Sequence, residues 1–307
     1  MWYALPVQPG GEATRARRAT SWVAAGVVRV AVLVLVFLVL GALWEGYRWF
    51  WINRDWTVPF EVQDRTMPHL HEIVGQLFRE WPEGGPVLGS TLLEAALFTA
   101  KEAAVGFAIG AVVGFALGAV IAHFKVLQRG VMPYVVASQT IPILAVAPMV
   151  VVGLGNGVSV LGHTWVPADW LRVSVIAAYL TFFPVTINTV RGLQSADPLA
   201  LELMHSYAAG RWRVLWRLRL PTALPYLFAA FRIAATASVV GAIVGELPSS
   251  IQSGLGGAIL NFNQYYSAEP KNLWATNLVA AALGISFFLV VVLAEKLVVH
   301  RAPERLV

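Results

Sequence analysis

The residues of this sequence that could bind a ligand or react are few and scattered. Glu246 lies just beyond the apolar stretch 221–244, and an acidic group at membrane depth is by default a functional candidate. An acid that reaches the membrane surface is the competing interpretation. No pair of carboxylates is expected inside neighbouring apolar stretches, as a proton relay would require.

Two histidines alternate at His69 and His71, but one such pair without further ligands is a poor metal site, so no bound metal is predicted. Because the chain has no cysteine, disulfides, thiolate–metal sites and thiol catalysis are excluded. The phosphate-binding pattern G-x-x-x-x-G-K-[ST] is absent, as are H-E-x-x-H and G-x-S-x-G. The sequence therefore predicts no catalytic residue and no ATP site in this chain.

Prolines and polar residues inside apolar stretches are the remaining candidates. Prolines there break backbone hydrogen bonds, and they occur both in transport pathways and in inert bends. Polar side chains either line a pathway or satisfy a neighbouring helix. The pathway or gate candidates are Gln139, Pro142, Pro148, Pro184, Asn188 and Glu246, with Thr181 and Ser238 as further polar groups.

The composition indicates that a membrane positions these residues. Hydrophobic residues make up 58% of the 307 and charged residues 13%, whereas a soluble domain carries about 25% charged residues. A helix crosses a bilayer in about 20 apolar residues. Six stretches meet or approach this length: 22–44, 103–122, 130–168 (one span plus an outer loop), 173–190, 221–244 and 272–294. We therefore predict an all-α membrane protein with six transmembrane helices.

Positively charged residues indicate the orientation of these helices, because they concentrate in cytoplasmic connections. They cluster before the first stretch, in alternate connections and after the last stretch: Arg15, Arg17, Arg18, Lys125, Arg129, Arg191, Arg211, Arg213, Arg217, Arg219, Arg301 and Arg305. Both termini are therefore predicted to be cytoplasmic. Since the charges lie between apolar blocks, the net charge of +5 indicates membrane lipid rather than nucleic acid as a partner.

The predicted organisation follows from these stretches. Residues 1–21 form a cytoplasmic tail, 22–44 the first transmembrane helix, and 45–90 an extracytoplasmic segment with an amphipathic helix over 69–80. Residues 91–297 form a five-helix core that includes the loop 195–225, and 298–307 form a cytoplasmic tail. Glu94, Lys101 and Glu102 are expected at the outer interface. Glycines recur every fourth residue from Gly106 to Gly118, which predicts close packing against another helix.

The connection between the fourth and fifth helices is predicted to be helical. Asp197 before Pro198 is typical of an N-cap followed by proline at the first helical position. Residues 199–209 are mostly good helix formers, and Gly210 is predicted to end the helix in a left-handed conformation. A second short helix is predicted near Trp212. A surface helix that binds anionic lipid is the alternative to one that binds a protein.

The run from Glu202 to Pro225 reads ELMHSYAAGRWRVLWRLRLPTALP. It resembles the EAA cytoplasmic loop of binding-protein-dependent ABC importer permeases, whose pattern is E-A-A, three residues, G, nine residues, I-x-L-P. The residues at matching spacings are Glu202, Leu218, Leu220 and Pro221. The alanine pair is replaced by Leu-Met, and Ala208 stands at the glycine position, with Gly210 two residues later.

Further segments between residues 67 and 297 are similar to this family. TIPILAVAPMVVVGLG (140–155) resembles its third-span motif, FFPVTINTVRGL (182–193) the run into the loop, and VGELPSSIQSGLG (244–256) the exit of the fifth span. They resemble the branch that includes nitrate, taurine and alkanesulfonate importers. NFNQYY (261–266) and GELPSSIQ are more similar to the riboflavin and pyrimidine-precursor members.

The resemblance implies a multi-pass permease of the inner membrane with a cytoplasmic coupling helix between helices 4 and 5. The implied ATPase-coupling residues are Asp197, Glu202, Ser206, Gly210, Arg211, Arg213 and Pro221. The implied partners are ABC ATPase subunits, which hold ATP and Mg²⁺, a second permease subunit, identical or paralogous, and an extracytoplasmic solute-binding protein. This chain itself is expected to bind no cofactor. The implied solute is riboflavin or a pyrimidine-type heterocycle, otherwise a sulfonate or nitrate-like anion.

Other classes of membrane protein fit the sequence less well. An ion-coupled secondary transporter, the main alternative, would require ionisable residues in mid-span, where Arg232 is the one clear case. A membrane enzyme would require clustered histidines or acids at one membrane face. An ABC export subunit would not explain the EAA-type spacing.

Overall fold

The computed structural model of the chain describes residues 11–54, 62–160, 163–249 and 251–299. The sequence-based assignments of Arg301, Arg305 and the first ten residues lie outside these ranges. The chain divides into two compact units, Met1–Glu72 and Ile73–Val307.

The first unit contains one long helix, α1 (Gly11–Asn53), and the beginning of α2 (Leu70–Gln76). Its membrane-length apolar part is Val34–Asn53. The predicted first span, 22–44, overlaps this part, and α1 continues beyond its predicted end. The helix continues beyond residue 44 because side chains one turn apart on it bind the chain at 64–68: Trp44 Nε1 donates to the Pro68 carbonyl (3.1 Å), while Arg48 donates to the Met67 carbonyl (3.1 Å) and pairs with Asp64.

Among its described residues, the second unit is mainly helical and contains one small hairpin. Its further elements are α3 (Leu88–His123), α4 (Lys125–Ser138), α5 (Ile143–Gly155), β1 (Val158–Val160), β2 (His163–Trp165), α6 (Asp169–Gln194), α7 (Pro198–Ser206), α8 (Arg211–Val214), a π-helical turn (Leu215–Arg219), α9 (Leu220–Glu246), α10 (Leu255–Gln264) and α11 (Pro270–Val298). The strands β1 and β2 are antiparallel, with Val158 opposite Trp165. Apart from these two three-residue strands, the described residues agree with the predicted all-α class.

Helices α3, α6 and α9 form the centre of the second unit, and the glycines of α3 allow the contact with α6. A Cβ atom on Gly106 would lie 2.4 Å from the Cβ of Ala177, and one on Gly110 would lie 2.5 Å from the Ala178 carbonyl oxygen. Gly118 is equally close to Thr189. Since real Cβ atoms do not approach so closely, the predicted packing role of the glycines is confirmed.

Five helical segments among the described residues are long and apolar enough to cross a membrane: Val34–Asn53, Leu88–His123, Asp169–Gln194, Arg211–Glu246 and Pro270–Val298. Helices α4 and α5 pass this test only together, and they are bent by 96°, so the number of spans is five, or six if the pair is one broken span. The region predicted as one span plus an outer loop, 130–168, is this bent pair followed by the β1–β2 hairpin. Pro142, the N-cap of α5, explains the break, because proline has no N–H to continue the ladder.

Other predicted boundaries also change. The amphipathic helix predicted over 69–80 ends at Gln76, since the Leu88 N–H donates to the Arg79 carbonyl (2.8 Å) and the Trp81 N–H to the Pro86 carbonyl (3.1 Å). These bonds tie the chain after α2 to the start of α3. Only Phe124 separates α3 from α4, so Lys125 and Arg129 lie in a helix and not in a loop.

Arg232, the isolated mid-span charge of the sequence, has a partner. Its guanidinium lies 3.5 Å from the Glu295 carboxylate, which links α9 to α11. Glu295 directly follows the predicted span 272–294 and is distant in sequence from Arg232, so only the helix packing reveals the pair. An ionised residue in a span is usually paired in this way.

Candidate functional site

The connection between α6 and α9 forms a capped pair of short helices. The Asp197 carboxylate accepts a hydrogen bond from the Leu199 N–H (3.0 Å), and Pro198 is the first residue of α7. The predicted N-cap is thus present. The Ser206 hydroxyl donates to the Glu202 carbonyl (3.1 Å), so this side chain supports the last turn of α7.

The end of α7 differs from its prediction. Ala208 has a positive φ of 49°, and the Ala209 N–H donates to the Met204 carbonyl (3.0 Å). This is the left-handed helix end that the sequence analysis assigned to Gly210. Gly210 instead has φ −65° and ψ 159° and is the N-cap of α8. The prediction was wrong because it relied on glycine preference, whereas the helix ends at the position where the EAA pattern has its glycine.

The surface of α7 and α8 is exposed over almost its whole length. None of the residues of α7 is buried, and in α8 Val214 alone is. Glu202, Arg211 and Arg213 are exposed. The exposed large apolar side chains of this connection are Leu199 (72%), Leu203 (57%), Tyr207 (75%), Trp212 (73%) and Trp216 (62%). We call residues 197–216 the α7–α8 surface.

A basic cavity of about 670 Å³ lies next to the α7–α8 surface. Its polar lining includes His123, Lys125, Gln194, His205, Arg211 and Arg219. The cations Lys125, Arg211 and Arg219 come from α4, α8 and the π-helical turn, and the two histidines come from α3 and α7. This arrangement attracts an acidic group. Pro221, the remaining coupling candidate, is exposed near the start of α9.

The pathway candidates separate into two groups. Gln139, Pro142 and Pro148 are exposed at or near the bend between α4 and α5. Within α6, the Asn188 amide donates to the Pro184 carbonyl (2.8 Å). Two further polar groups, Thr181 and Ser238, are buried and donate to carbonyl groups of their own helices: Thr181 to Ala177 and Ser238 to Ala235. The bend therefore carries the exposed members of the set.

Glu246 is 1% exposed and holds α9 to two other helices. Its carboxylate accepts hydrogen bonds from the Thr99 hydroxyl of α3 (2.6 Å) and from the Gly256 N–H in the first turn of α10. Thr99 in turn accepts from the Leu255 N–H (2.9 Å). A carboxylate at a helix N-terminus is favourable because the unpaired N–H groups point at it. Glu246 therefore fixes where α10 begins.

A second buried carboxyl group contacts Glu246. Glu102 is 0% exposed, and its neighbour is the carboxyl of Glu246. Neither of its oxygens finds a donor among the described residues. Both oxygens of an ionised carboxylate only accept, so the two groups can hydrogen-bond to each other only when one carries a proton.

This pair corrects two expectations. Glu102 does not lie at the outer interface, and a pair of carboxylates does occur between neighbouring spans, α3 and α9. The charged run Glu94, Lys101 and Glu102 suggested an interface, yet Lys101 lies over the ring of Trp170 (4.0 Å) while Glu102 points inward. A signal was present in the sequence: Glu102 is four residues before Gly106 and continues the glycine stripe.

A cavity of about 440 Å³ lies between the N-terminal part of α3 and helix α10. Trp81 and Phe262, whose rings meet edge to face with centroids 4.8 Å apart, form one side. The remaining lining includes Glu94, Phe98, Gln252, Ser253 and Asn261. Aromatic rings with a few amide and hydroxyl groups are the usual lining of small-molecule sites, and this volume is within their range. Tyr265, in the run NFNQYY, is exposed at the end of α10.

Comparison with known proteins supports a transport role. Residues 106–303 match the family described as binding-protein-dependent transport system inner membrane component. The chain is 29% identical over 306 residues to the riboflavin transport system permease protein RibX of Chloroflexus aurantiacus, covering 98% of each chain. It is 38% identical over 120 residues to the formylaminopyrimidine transport permease protein ThiX of Halalkalibacterium halodurans, covering 39% of this chain and 43% of that one.

A more distant relative is the putative aliphatic sulfonates transport permease protein SsuC of Bacillus subtilis, 26% identical over 146 residues and 48% of each chain. The chain thus spans less than half the length of ThiX and SsuC and nearly all of RibX. The family match includes the glycine stripe of α3, the α4–α5 bend, the α7–α8 surface and α11. The chain belongs to the binding-protein-dependent inner membrane components, the permeases of ABC-type importers.

Proposed function

We propose that this chain is the membrane-spanning subunit of an ATP-driven importer that takes up a small solute delivered by an extracytoplasmic binding protein. Separate ATPase subunits bind ATP and Mg²⁺, and a second permease subunit, identical or paralogous, completes the pathway. Both termini and the α7–α8 surface face the cytoplasm. The family membership of the chain supports this proposal, since the family is described as the inner membrane component of a binding-protein-dependent transport system.

The α7–α8 surface is the observation that carries the proposal. A helix of nine residues is too short to be stable alone, yet α7 is capped at both ends and buries none of its side chains. Exposed aromatic residues that lie together usually mark a protein interface. Trp212 and Tyr207 supply such residues, and an ATPase groove is the partner that would cover them.

Charge and continuity give this surface its coupling role. Arg211 and Arg213 would strengthen docking to an acidic groove, and Glu202 would bind backbone amides or an arginine of the ATPase. The π-helical turn joins α8 to α9 without a break, and Arg211–Glu246 runs as one membrane-length helix. A displacement of the docked helices is therefore transmitted to α9 as a rigid-body movement. Closure of the ATPases would in this way switch the pathway between inward and outward access.

Co-purification tests the coupling proposal. The chain is isolated from its native membrane with an affinity tag, and the associated subunits are identified. We expect an ATPase to accompany the wild type and to be lost in Glu202→Arg, whereas the control Glu83→Arg, an equal charge reversal at an exposed residue outside the α7–α8 surface, retains it. Retention of the ATPase by Glu202→Arg, with Leu203→Asp also without effect, would contradict the docking role.

The solute that we propose is riboflavin or a pyrimidine-type heterocycle. The near full-length similarity to a riboflavin transport permease supports this choice, and the aromatic cavity beside Trp81 and Phe262 has a size and lining that suit a planar ring. A sulfonate or nitrate-like anion is the other choice. It is less suited to the cavity, whose charged lining residue is the acid Glu94.

Uptake by the reconstituted complex distinguishes these solutes. Proteoliposomes that contain the permease, its ATPase and its binding protein are supplied with riboflavin, a pyrimidine or taurine. ATP-dependent uptake of a heterocycle supports the proposal, while uptake of taurine alone would contradict it.

The ion-coupled alternative is favoured by one observation, the buried pair Glu102 and Glu246. It would replace the proposal if the chain alone carried solute down an ion gradient.

A further inference from the structure

Three potential metal ligands meet in the first unit, outside the site described above. Glu45 is on α1, His69 directly precedes α2, and His71 is the second residue of α2. One ligand atom from each of the three lies within 4.8 Å of the others. The sequence analysis dismissed the two histidines for want of a further ligand, and the folded chain supplies it from a residue 24 positions away.

The backbone on both sides of His69 is hydrogen-bonded to α1, so contacts of the fold bring the three side chains together. The Trp44 indole donates to the Pro68 carbonyl (3.1 Å), and the Leu70 N–H donates to Glu45 Oε1 (3.0 Å). Arg48, one turn after Glu45, holds the Met67 carbonyl (3.1 Å) and the Asp64 carboxylate. Ligands supported by such contacts are held near their binding geometry before the metal arrives.

The side chains themselves are oriented toward one another. Glu45 Oε2 lies 2.7 Å from His69 Nδ1, and the rings of His69 and His71 have centroids 5.2 Å apart. Each carboxylate oxygen has two lone pairs, so the bond from Leu70 leaves Glu45 able to bind a cation. Ligating carboxylates are commonly held by a further hydrogen bond, as the Leu70 N–H holds Glu45.

We propose that Glu45, His69 and His71 bind a divalent transition metal, with Zn²⁺ as the ion that fits this ligand set. Two imidazoles and one carboxylate are a recurring zinc set, which leaves a fourth tetrahedral position open to water. Bonds of about 2.0–2.2 Å place neighbouring ligand atoms about 3.3 Å apart in such a site. Because His71 is exposed, rotation of its imidazole closes the remaining gap.

The bound metal would act as a clasp in this part of the chain. It would join α1 to the beginning of α2 through three ligands and so close the loop between Glu45 and His69. Binding to the folded form alone stabilises it by mass action. This metal site shares no residue with the α7–α8 surface or the solute cavity, so the metal proposal can be tested separately from the proposed transport function.

Metal titration of the full-length chain tests the proposal. The protein is purified in detergent with a tag that contains no histidine, stripped with EDTA and titrated with Zn²⁺ by calorimetry. Co²⁺ is added in parallel, since its visible absorption reports a tetrahedral site. We expect one Zn²⁺ per chain and at least tenfold weaker binding in His71→Ala and in Glu45→Gln. The matched control His123→Ala, which removes an exposed histidine of α3, is expected to bind like the wild type.

The two variants keep the test decisive. His71→Ala removes an exposed ring, and Glu45→Gln retains an oxygen that accepts from the Leu70 N–H, so the scaffold of the site persists. The proposal is overturned if the wild type shows no saturable binding. It is equally overturned if both variants bind Zn²⁺ as tightly as the wild type, because the ion would then lie elsewhere.

Discussion

Glu102 and Glu246 carry the same functional group and touch each other, yet their surroundings differ. Glu246 receives hydrogen bonds from Thr99 and Gly256, whereas Glu102 receives none from the described residues. Removing an acceptor that binds buried donors leaves those donors unpaired, whereas removing an acceptor that binds none does not. The two acids are therefore expected to behave differently when each is replaced.

Replacing Glu246 by alanine is expected to lower the free energy of unfolding by about 2–3 kcal/mol, because the Thr99 hydroxyl and the Gly256 N–H lose a charged acceptor. Replacing Glu102 by glutamine is expected to preserve or raise stability, since the new amide supplies a donor to Glu246. The thermal unfolding of both variants in detergent measures the difference. Equal losses in the two would show that the pair is held by something other than these bonds.

The sequence revealed one member of this pair and misplaced the other. Glu246 stood out because it follows a long apolar stretch. Glu102 follows a lysine and lies near Glu94, and a charge run normally indicates a solvated surface. Lys101 leaves this run for the ring of Trp170, which depends on α6, a helix distant in sequence. Such a contact has no local signal.

Among the elements, the end of α7 carries a measurable strain. Ala208 is in the left-handed region, where an alanine costs about 1 kcal/mol more than a glycine. Ala208→Gly is therefore expected to raise the stability of α7 by about 1 kcal/mol. Amide hydrogen exchange over residues 198–209 measures this local gain directly.

Gly210 provides the matched control for this prediction. Its φ of −65° is open to any residue, and a Cβ atom there would meet nothing within 4 Å. Gly210→Ala should leave the exchange of α7 unchanged. If Gly210→Ala destabilised the helix and Ala208→Gly did not, the helix would end at Gly210, as the sequence alone suggests.

Helices with a strong local pattern were predictable, and those set by distant contacts were not. The apolar runs gave α6, α9 and α11 to within a few residues, and the stripe from Gly106 to Gly118 gave the close packing of α3. The 96° bend between α4 and α5 was missed. A proline inside an apolar run is compatible with a bend, a kink or a continuous span, and the choice depends on the neighbouring helices.

At the scale of the whole molecule, the arginine distribution predicts that the α7–α8 surface and the aromatic cavity lie on opposite sides of the membrane. Because the chain has no cysteine, single cysteines can be introduced at the exposed residues Ser206 and Ser253 without a background. An impermeant maleimide applied to cells with a permeabilised outer envelope is expected to label Ser253→Cys. Ser206→Cys should react only after the inner membrane is opened. Labelling of both from one side would contradict the predicted topology.

The site was predictable to the extent that it lies in one continuous segment. Asp197 was identified as an N-cap before proline, and Glu202 and Pro221 were identified by spacing. The structure places all three on or next to one exposed connection. The cavity beside Trp81 and the clasp of Glu45 with two histidines each join residues far apart in sequence. Their members carry no shared pattern that a single sequence could display.

The π-helical turn between α8 and α9 has a consequence for the direction in which the α7–α8 surface points. Here the Leu220 N–H bonds to the carbonyl five residues back, at Leu215, which accommodates one residue more than an α-helix would. Each residue of an α-helix turns it by about 100°. Removing one residue from Leu215–Arg219 would restore ordinary winding and rotate α8 about the helix axis by roughly that angle. The direction in which Trp212 and its neighbours point about the axis of α9 is thus set by the number of residues in the π-helical turn, whatever their side chains.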